Sequence, residues 1–263
     1  MGKIVLNDEE KVLVARVNDL IQKCDKENRA VFSDFLSDRE KVIVLEETRG
    51  AFPADRVIVY GGFEDAERTI VGFFPEYSMF SDVSELYEEF PIKAVKIVCS
   101  GFREHSHRDF LGSVLGLGLE RTVIGDIVPD EKGYSATVFV HEKIVSFLTE
   151  NLRLIGRDGV NTTLCTADDV VELKRNYEPI TGTVASFRID AVISEVLNIS
   201  REKSVKLIEA GLVTVNHAVV LEKSEELKCA DVFTVRGSGK FRLSEIGTAN
   251  RKGRIRFLVE KFV

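Results

Sequence analysis

Apolar residues over the first fifty positions recur by helical turns rather than by alternation. Val12, Val14, Val17, Leu20, Ile21 and Cys24 fall near a 3.6-residue spacing, which predicts an amphipathic helix from about Asn7. Ser33 precedes a further periodic run through Phe35, Leu36 and Val42, which predicts a second helix. Two β-rich runs follow, RVIVYGG at 56–62 and RTIVGFFP at 68–75, separated by a short acidic turn. They predict a hairpin that closes a first α+β unit, residues 1–85.

From Pro91 the pattern changes to strand 92–99 (IKAVKIVC), helix 107–117, strands 122–128 and 135–141, helix 142–151 and a strand within 153–165. This β-α-β-β-α-β order is that of a ferredoxin-like, RRM-like domain, placed at 86–170. Such a sheet is expected to keep one face open while both helices cover the other. PDEKG at 129–133 supplies the turn between the middle strands. IKAVKIVC carries no aromatic residue, so base stacking on that strand is not expected.

Pro179 and Gly182 interrupt the stretch LKRNYEPITGT (173–183), which reads as a linker or domain edge. Beyond it, Ile189, Val192, Ile193 and Val196 share one side of a short helix, and Ser200 is a candidate N-cap for a second helix ending at Gly211. LVTVNHAVVL then alternates about Asn216-His217 as a hairpin does, and ADVFTVRG supplies another strand. The expected whole is a multi-domain α+β chain: the N-terminal unit, the RRM-like domain, two helices with a small sheet over 182–243, and a basic tail at 244–263.

The charge balance sharpens this division. The chain carries a net charge of −7, yet from Gly182 to Val263 there are 14 Lys and Arg against 10 Asp and Glu, and upstream 22 against 33. Basic charge is therefore gathered at the C-terminal end, the pattern of a nucleic-acid-binding module on an otherwise acidic chain. No segment approaches the roughly 18 consecutive apolar residues of a membrane span, and the first residues turn acidic where a signal peptide would stay apolar, so a cytoplasmic monomer is expected. The four cysteines, Cys24, Cys99, Cys165 and Cys229, form no CxxC pair and no zinc spacing with the histidines; free thiols, no metal and no cofactor are expected.

The segment FRIDAVISEVLNISREKSVKLIEAGLVTVNHAVV, followed by KCADVFTVRGSGKF, resembles an S4-type RNA-binding domain. The matching positions are Arg188, Ile189 and Asp190, then Ser200 and Arg201, then Leu207, Ile208, Gly211, Val213, Val215 and Asn216. Asp231, Phe233, Val235 and Arg236 follow, and Gly239, Lys240 and Phe241 close the match. His217 and Ala230 stand where that family has glycine, so turn geometry is in question at both. The resemblance implies RNA contacts by Arg188, Ser200, Arg201, Lys203, Lys206, Asn216, Arg236, Lys240 and Arg242. The physical ground is that Arg188 opens the first helix while Arg201, Lys203 and Lys206 lie on the second, and cations that neutralise phosphates release condensed counterions. The same charges read equally as a solvated helix face when nothing binds there.

Two further stretches carry candidate contacts. Arg251, Lys252 and Arg254 in TANRKGRIRFLVEKFV extend the basic surface or, alternatively, belong to a strand packing Ile255, Phe257 and Val259. Arg103, His105, His107 and Arg108 in GFREHSHRDF read as a partly basic loop above the sheet, with Arg103, His107 and Arg108 as additional RNA contacts. HxH without further ligands is a weak metal signal, and Gly112, Gly116 and Gly118 do not form a nucleotide loop, so no catalytic residue is assigned.

The 101–127 stretch and the S4-like C-terminus together resemble the YlmH family of bacterial RNA-binding proteins. That resemblance implies a non-enzymatic role on ribosomal RNA and tRNA, with large ribosomal subunits that carry peptidyl-tRNA after stalling as the partner in translation quality control. An RNA-modifying enzyme, of pseudouridine synthase or methyltransferase type, and an RNA-anchored adaptor are the competing readings.

Overall fold

Helix α1 (Asp8–Glu27) starts where Asn7 and Glu10 form a reciprocal capping box, and helix α2 (Asp38–Thr48) where Ser37 and Glu40 do the same. In the computed structural model, residues 6–64, 66–76, 78, 83–101, 103–166, 169–170, 177–216, 218–250 and 253–262 are described. The chain divides into two units, Met1–Lys174 and Arg175–Val263. Among the described residues no helix is long and apolar enough to cross a membrane. All four cysteines are free.

In the first unit, Val17, Ile21 and Cys24 of α1 pack on strands β1 (Val31–Phe32), β2 (Val57–Tyr60) and β3 (Ile70–Phe73), which form a sheet in the order β1-β3-β2. The expected 56–75 hairpin is the antiparallel pair β2-β3. The run read as helical from Ser33 is not helical there. Val31 and Phe32 pair with β3, Leu36 bridges Thr69, and α2 begins only at Asp38. Val12, read as part of the buried stripe, is exposed.

After the short helix α3 (Val83–Glu88), the middle segment runs β4 (Ile92–Cys99), α4 (His107–Leu115), β5 (Ile124–Pro129), β6 (Ser135–His141), α5 (Val145–Asn151), β7 (Leu154–Ile155) and β8 (Asp158–Leu164). Its antiparallel sheet has the order β5-β6-β4-β8-β7, the split βαβ topology expected. Helices α4 and α5 cover one face through Phe110, Val114 and Leu148 against Val95, Ile97, Val138 and Val140.

The other face differs from expectation, because the N-terminal segment covers much of it. Ala94, Val128 and Phe139 pack with Phe35, Phe63, Phe74 and Phe90, and the Phe63 and Phe139 rings stack at 4.9 Å. An RRM places base-stacking aromatics on the two strands equivalent to β4 and β6. Here the aromatic on β6, Phe139, is 1% exposed and already stacked on a phenylalanine of the same chain.

Polar groups fasten the same junction. Arg68 donates from Nε to the Ile124 carbonyl at 2.9 Å and from Nη2 to the Phe35 and Arg121 carbonyls, both at 3.0 Å. Burial, then the neighbouring Arg68 guanidinium, push Arg121 down to about 10, so it stays cationic at neutral pH, and burial lowers Arg68 as well. The Asp126 carboxylate offsets them and accepts from the backbone N–H groups of Glu67 and Arg68. Residues 1–85 and 86–170, read as separate domains, therefore share buried contacts within one unit.

The boundary between the units, after Lys174, falls in the stretch read as a linker or domain edge, and the second unit opens there with a strand: β9 (Tyr177–Val184) pairs along its length with β14 (Ile255–Phe262). Helices α6 (Ile189–Val196) and α7 (Arg201–Glu209) follow, then β10 (Val213–Val215), β11 (Ala218–Val219), β12 (Val232–Val235) and β13 (Gly239–Ala249). The sheet order is β11-β10-β12-β13-β14-β9. Ile189, Val192, Ile193 and Ile208 of the helices pack on Val213, Phe233, Val235, Phe241, Leu243, Phe257 and Val259. The expected 244–263 tail is thus the end of β13 and all of β14, and the strand alternative for Ile255, Phe257 and Val259 holds.

Candidate RNA interface

The helix pair α6-α7 is built around a buried carboxylate. Asp190, in the first turn of α6, is 3% exposed and accepts from Arg188 Nε at 3.2 Å, while Arg201 Nη2 lies 3.1 Å from its other oxygen. The two guanidiniums come from the residue that precedes α6 and the first residue of α7, so one carboxylate fixes both. Ser204 strengthens the joint by donating its hydroxyl to the Asp190 carbonyl at 2.7 Å. Ser200 caps α7, its Oγ accepting from the Lys203 N–H, and Gly211 ends the helix at a φ of 68° that suits glycine.

Around this joint lies an open depression of about 450 Å³ lined by Arg188, Asp190, Arg201, Glu202, Val205 and Lys223. Lys223 was not among the expected contacts. It comes from the irregular segment between β11 and β12, which crosses the start of α6: Ile189 N–H donates to the Glu225 carbonyl and Leu227 N–H to that of Phe187. Among the residues that line it, Arg188, Arg201 and Lys223 face Asp190 and Glu202.

The predicted residues do not all gather at this surface. On a helix of 3.6 residues per turn, Lys203 projects roughly 160° away from Arg201, so the first turn of α7 presents two flanks rather than one patch. Lys206 is exposed and paired with Glu202 at 2.7 Å. Asn216 holds a turn: at a φ of 45°, its amide donates to Asp231 at 2.9 Å and its oxygen accepts from the Val232 N–H at 3.0 Å. Ala230, one of the two departures from the S4 pattern, has a φ of 71°, the left-handed region glycine would enter freely. His217, the other departure, lies outside the described residues.

Lys240 and Arg242 alternate with buried Phe241 and Leu243, so they lie on the sheet face turned away from α6 and α7. Lys240 sits 5.0 Å from the Phe262 ring centre, and Arg242 sits over Tyr177 while donating to Glu260 at 2.8 and 2.9 Å. Ser244 and Arg242 hold the Glu260 carboxyl below its ordinary value. Arg236 is exposed at the turn between β12 and β13. Arg254 donates to the Thr183 carbonyl and hydroxyl and lies 3.7 Å from Glu195, which ties it to β9 and α6. Arg251 and Lys252 lie outside the described residues. Arg103, His107 and Arg108 belong to the other unit, where all three are exposed.

Comparison with known proteins follows the same division. Residues 86–169 match the family model described as a putative RNA-binding domain in YlmH, and residues 187–232 match the S4 domain. The chain is 29% identical over 255 residues to the ribosome-associated protein quality control protein P2 of Bacillus subtilis (strain 168), covering 96% of this chain and 95% of that protein. A solved structure titled cell division protein ylmH from Streptococcus pneumoniae superposes with a TM-score of 0.52 at 17% identity. It covers 65% of this chain and 100% of its own, a likeness of fold.

Proposed function

Because the chain belongs to the YlmH family of RNA-binding proteins with a C-terminal S4 domain, we propose that it acts without catalysis on ribosomal RNA and tRNA, binding large ribosomal subunits that retain peptidyl-tRNA after stalling. The observation that carries this reading is the α6-α7 pair, where Asp190 presents two arginines beside Lys223, with Lys203 and Lys206 on the other flank of α7. Arginine guanidiniums held in fixed orientation bind phosphate through paired hydrogen bonds and stack on unpaired bases, which suits loops and junctions of folded RNA. The relative from Bacillus subtilis carries a ribosome-associated quality-control name over nearly its whole length, which supports a ribosomal partner in the cytoplasm.

The test is co-sedimentation with large subunits, with and without peptidyl-tRNA, and with free tRNA, at low and moderate salt. Two variants accompany the wild type: Arg201→Glu/Lys206→Glu, and Lys203→Glu/Lys206→Glu, which leaves the Asp190 pair intact. Salt-sensitive binding to the tRNA-carrying subunit, lost in both variants while their thermal unfolding stays cooperative, is the expected result. Unchanged binding by the folded variants would reject this surface, and turnover of tRNA or ribosomal RNA by the purified protein would replace the reading with an enzymatic one.

A further inference from the structure

The sheet of the C-terminal unit ends on β9, eight residues long, and on β11, two residues long. An edge strand carries a row of main-chain N–H and C=O groups without partners, on which another strand can add. β11 is too short to accept one. β9 is long enough, and it is the strand whose Pro179 and Gly182 interrupt the sequence pattern.

The register fixes which groups of β9 point outward. The Asn250 N–H donates to the Arg254 carbonyl, so Arg254 turns its backbone toward β13, while Ile255, Phe257, Val259 and Lys261 turn theirs toward β9. Their partners Val184, Gly182, Ile180 and Glu178 therefore face inward, and Pro179, Thr181 and Thr183 face out. Pro179 has no N–H to offer. The Thr183 N–H donates to Glu195 Oε1 at 3.3 Å, and the Thr183 carbonyl accepts from Arg254 Nη2, while Arg254 Nε donates to the Thr183 hydroxyl at 3.0 Å. Glu195 reaches the edge from α6, and its other oxygen lies 3.7 Å from Arg254 Nη2, so the two side chains form one clip. Gly182 makes room for this approach, because a Cβ there would stand 2.7 Å from Glu195 Cγ. Of the three outward residues only Thr181 keeps a donor without a partner among the described residues. With 179 and 183 closed on either side of it, no two successive outward N–H groups remain over this stretch for a strand to pair with.

We propose that Pro179 and the Glu195–Arg254 clip close β9 against strand addition, which keeps a second copy of this chain from joining the sheet edge to edge. Arg254 on this account works inside the fold, and the closure stands whether or not RNA binds nearby.

Full-length protein freed of nucleic acid is followed by sedimentation equilibrium over a range of concentrations. The samples are the wild type, Pro179→Val/Glu195→Ala/Arg254→Ala, that triple variant with Thr181→Pro added, and Val259→Ala, which weakens the buried core of the same unit and leaves the edge closed. Expected is a wild-type mass that does not change with concentration, a triple-variant mass that rises toward a dimer or beyond, and a return to the wild-type mass when Thr181→Pro removes the outward donor at the centre. Should the triple variant unfold, Pro179→Val/Glu195→Ala carries the same test with the arginine in place. A folded opened variant that stays monomeric overturns the closure. So does association that Thr181→Pro leaves in place or that Val259→Ala reproduces, since it would then follow a loss of stability and not an open edge.

Discussion

Replacing Asp190 with asparagine separates two accounts of the α6-α7 surface because they differ in sign. If the surface were a cloud of positive charge, removing a carboxylate would raise its net charge and tighten RNA binding, by up to about 1 kcal/mol for a charge some 4 Å away in water and less once salt screens it. In the structure, however, Asp190 is the group that orients Arg188 and Arg201, at 3.2 and 3.1 Å. Releasing two rotamer-rich side chains costs about 0.5–1.5 kcal/mol each when RNA must immobilise them again. The loss outweighs the gain, and Asp190→Asn should bind structured RNA about two- to tenfold more weakly. The same substitution weakens two charge-assisted hydrogen bonds. Both arginines can rehydrate, with 34% and 59% of their side chains exposed, so the stability cost falls to about 1–2 kcal/mol, or roughly 5–15 °C in Tm for a unit of this size. Fluorescence anisotropy with a labelled RNA hairpin, well below the melting transition, reads the first effect and thermal unfolding the second. Binding as tight as wild type or tighter, with a steeper salt dependence, would refute the positioning argument.

Other consequences are equally open to measurement. Arg68→Met removes the guanidinium donor from the Phe35 and Arg121 carbonyls, while the Ile124 carbonyl keeps that of Arg121, and should cost about 2–4 kcal/mol, with urea unfolding of residues 1–174 losing cooperativity; a single transition at the wild-type midpoint would contradict the junction described. Ala230→Gly relieves a left-handed alanine by about 1–2 kcal/mol and gives back about 0.5–1 in backbone entropy, so the C-terminal unit should gain up to about 1 kcal/mol in denaturant titrations; a loss would show that the alanine side chain contributes packing that outweighs the strain. His141 is held below its ordinary 6.5 by burial and then by Lys143, and its neutral Nδ1 accepts the Lys143 N–H. The unfolded chain therefore takes up the proton first, and stability falls as the pH drops through 6.5; His141→Asn keeps an acceptor, so its stability should vary less between pH 7.5 and 5.5, and identical slopes would count against this assignment.

Legibility in the sequence followed the range of the interaction that shaped each segment. The alternation in SATVFVH sends Ala136, Val138 and Val140 to one face and Thr137 and Phe139 to the other, and β6 lies at residues 135–141 as read. Phe35 and Leu36 were misread as helical because their apolarity answers to Phe139 and to the cluster of Val17, Val71 and Phe73, partners that a local period does not register. YEPITGTV looked like a linker because Pro179 and Gly182 interrupt it. Both are tolerated because β9 is an edge strand, paired to β14 alone. At the candidate site, the order of Arg188, Asp190, Ser200 and Arg201 was visible, but the carboxylate's hold on both arginines needed the helices packed. Lys223 was invisible, because an irregular segment gives no pattern from which to place it.

The internal ion pairs also decide which cations remain available for RNA. Arg242 is bound to a partly buried Glu260 that also accepts from Ser244 at 2.6 Å, so a phosphate would have to displace a set of bonds the sheet uses. The Lys206–Glu202 pair is different: both side chains are more than two-thirds exposed, and such a pair is worth at most about 1 kcal/mol. A phosphate arriving at α7 can take Lys206 from Glu202 at little cost. The field of a distant carboxylate is largely screened beyond about 8 Å at physiological salt. The local charges, Arg188, Arg201 and Lys223 with Asp190 and Glu202 on one flank and Lys203 and Lys206 on the other, therefore weigh more in RNA affinity than the chain's net charge of −7.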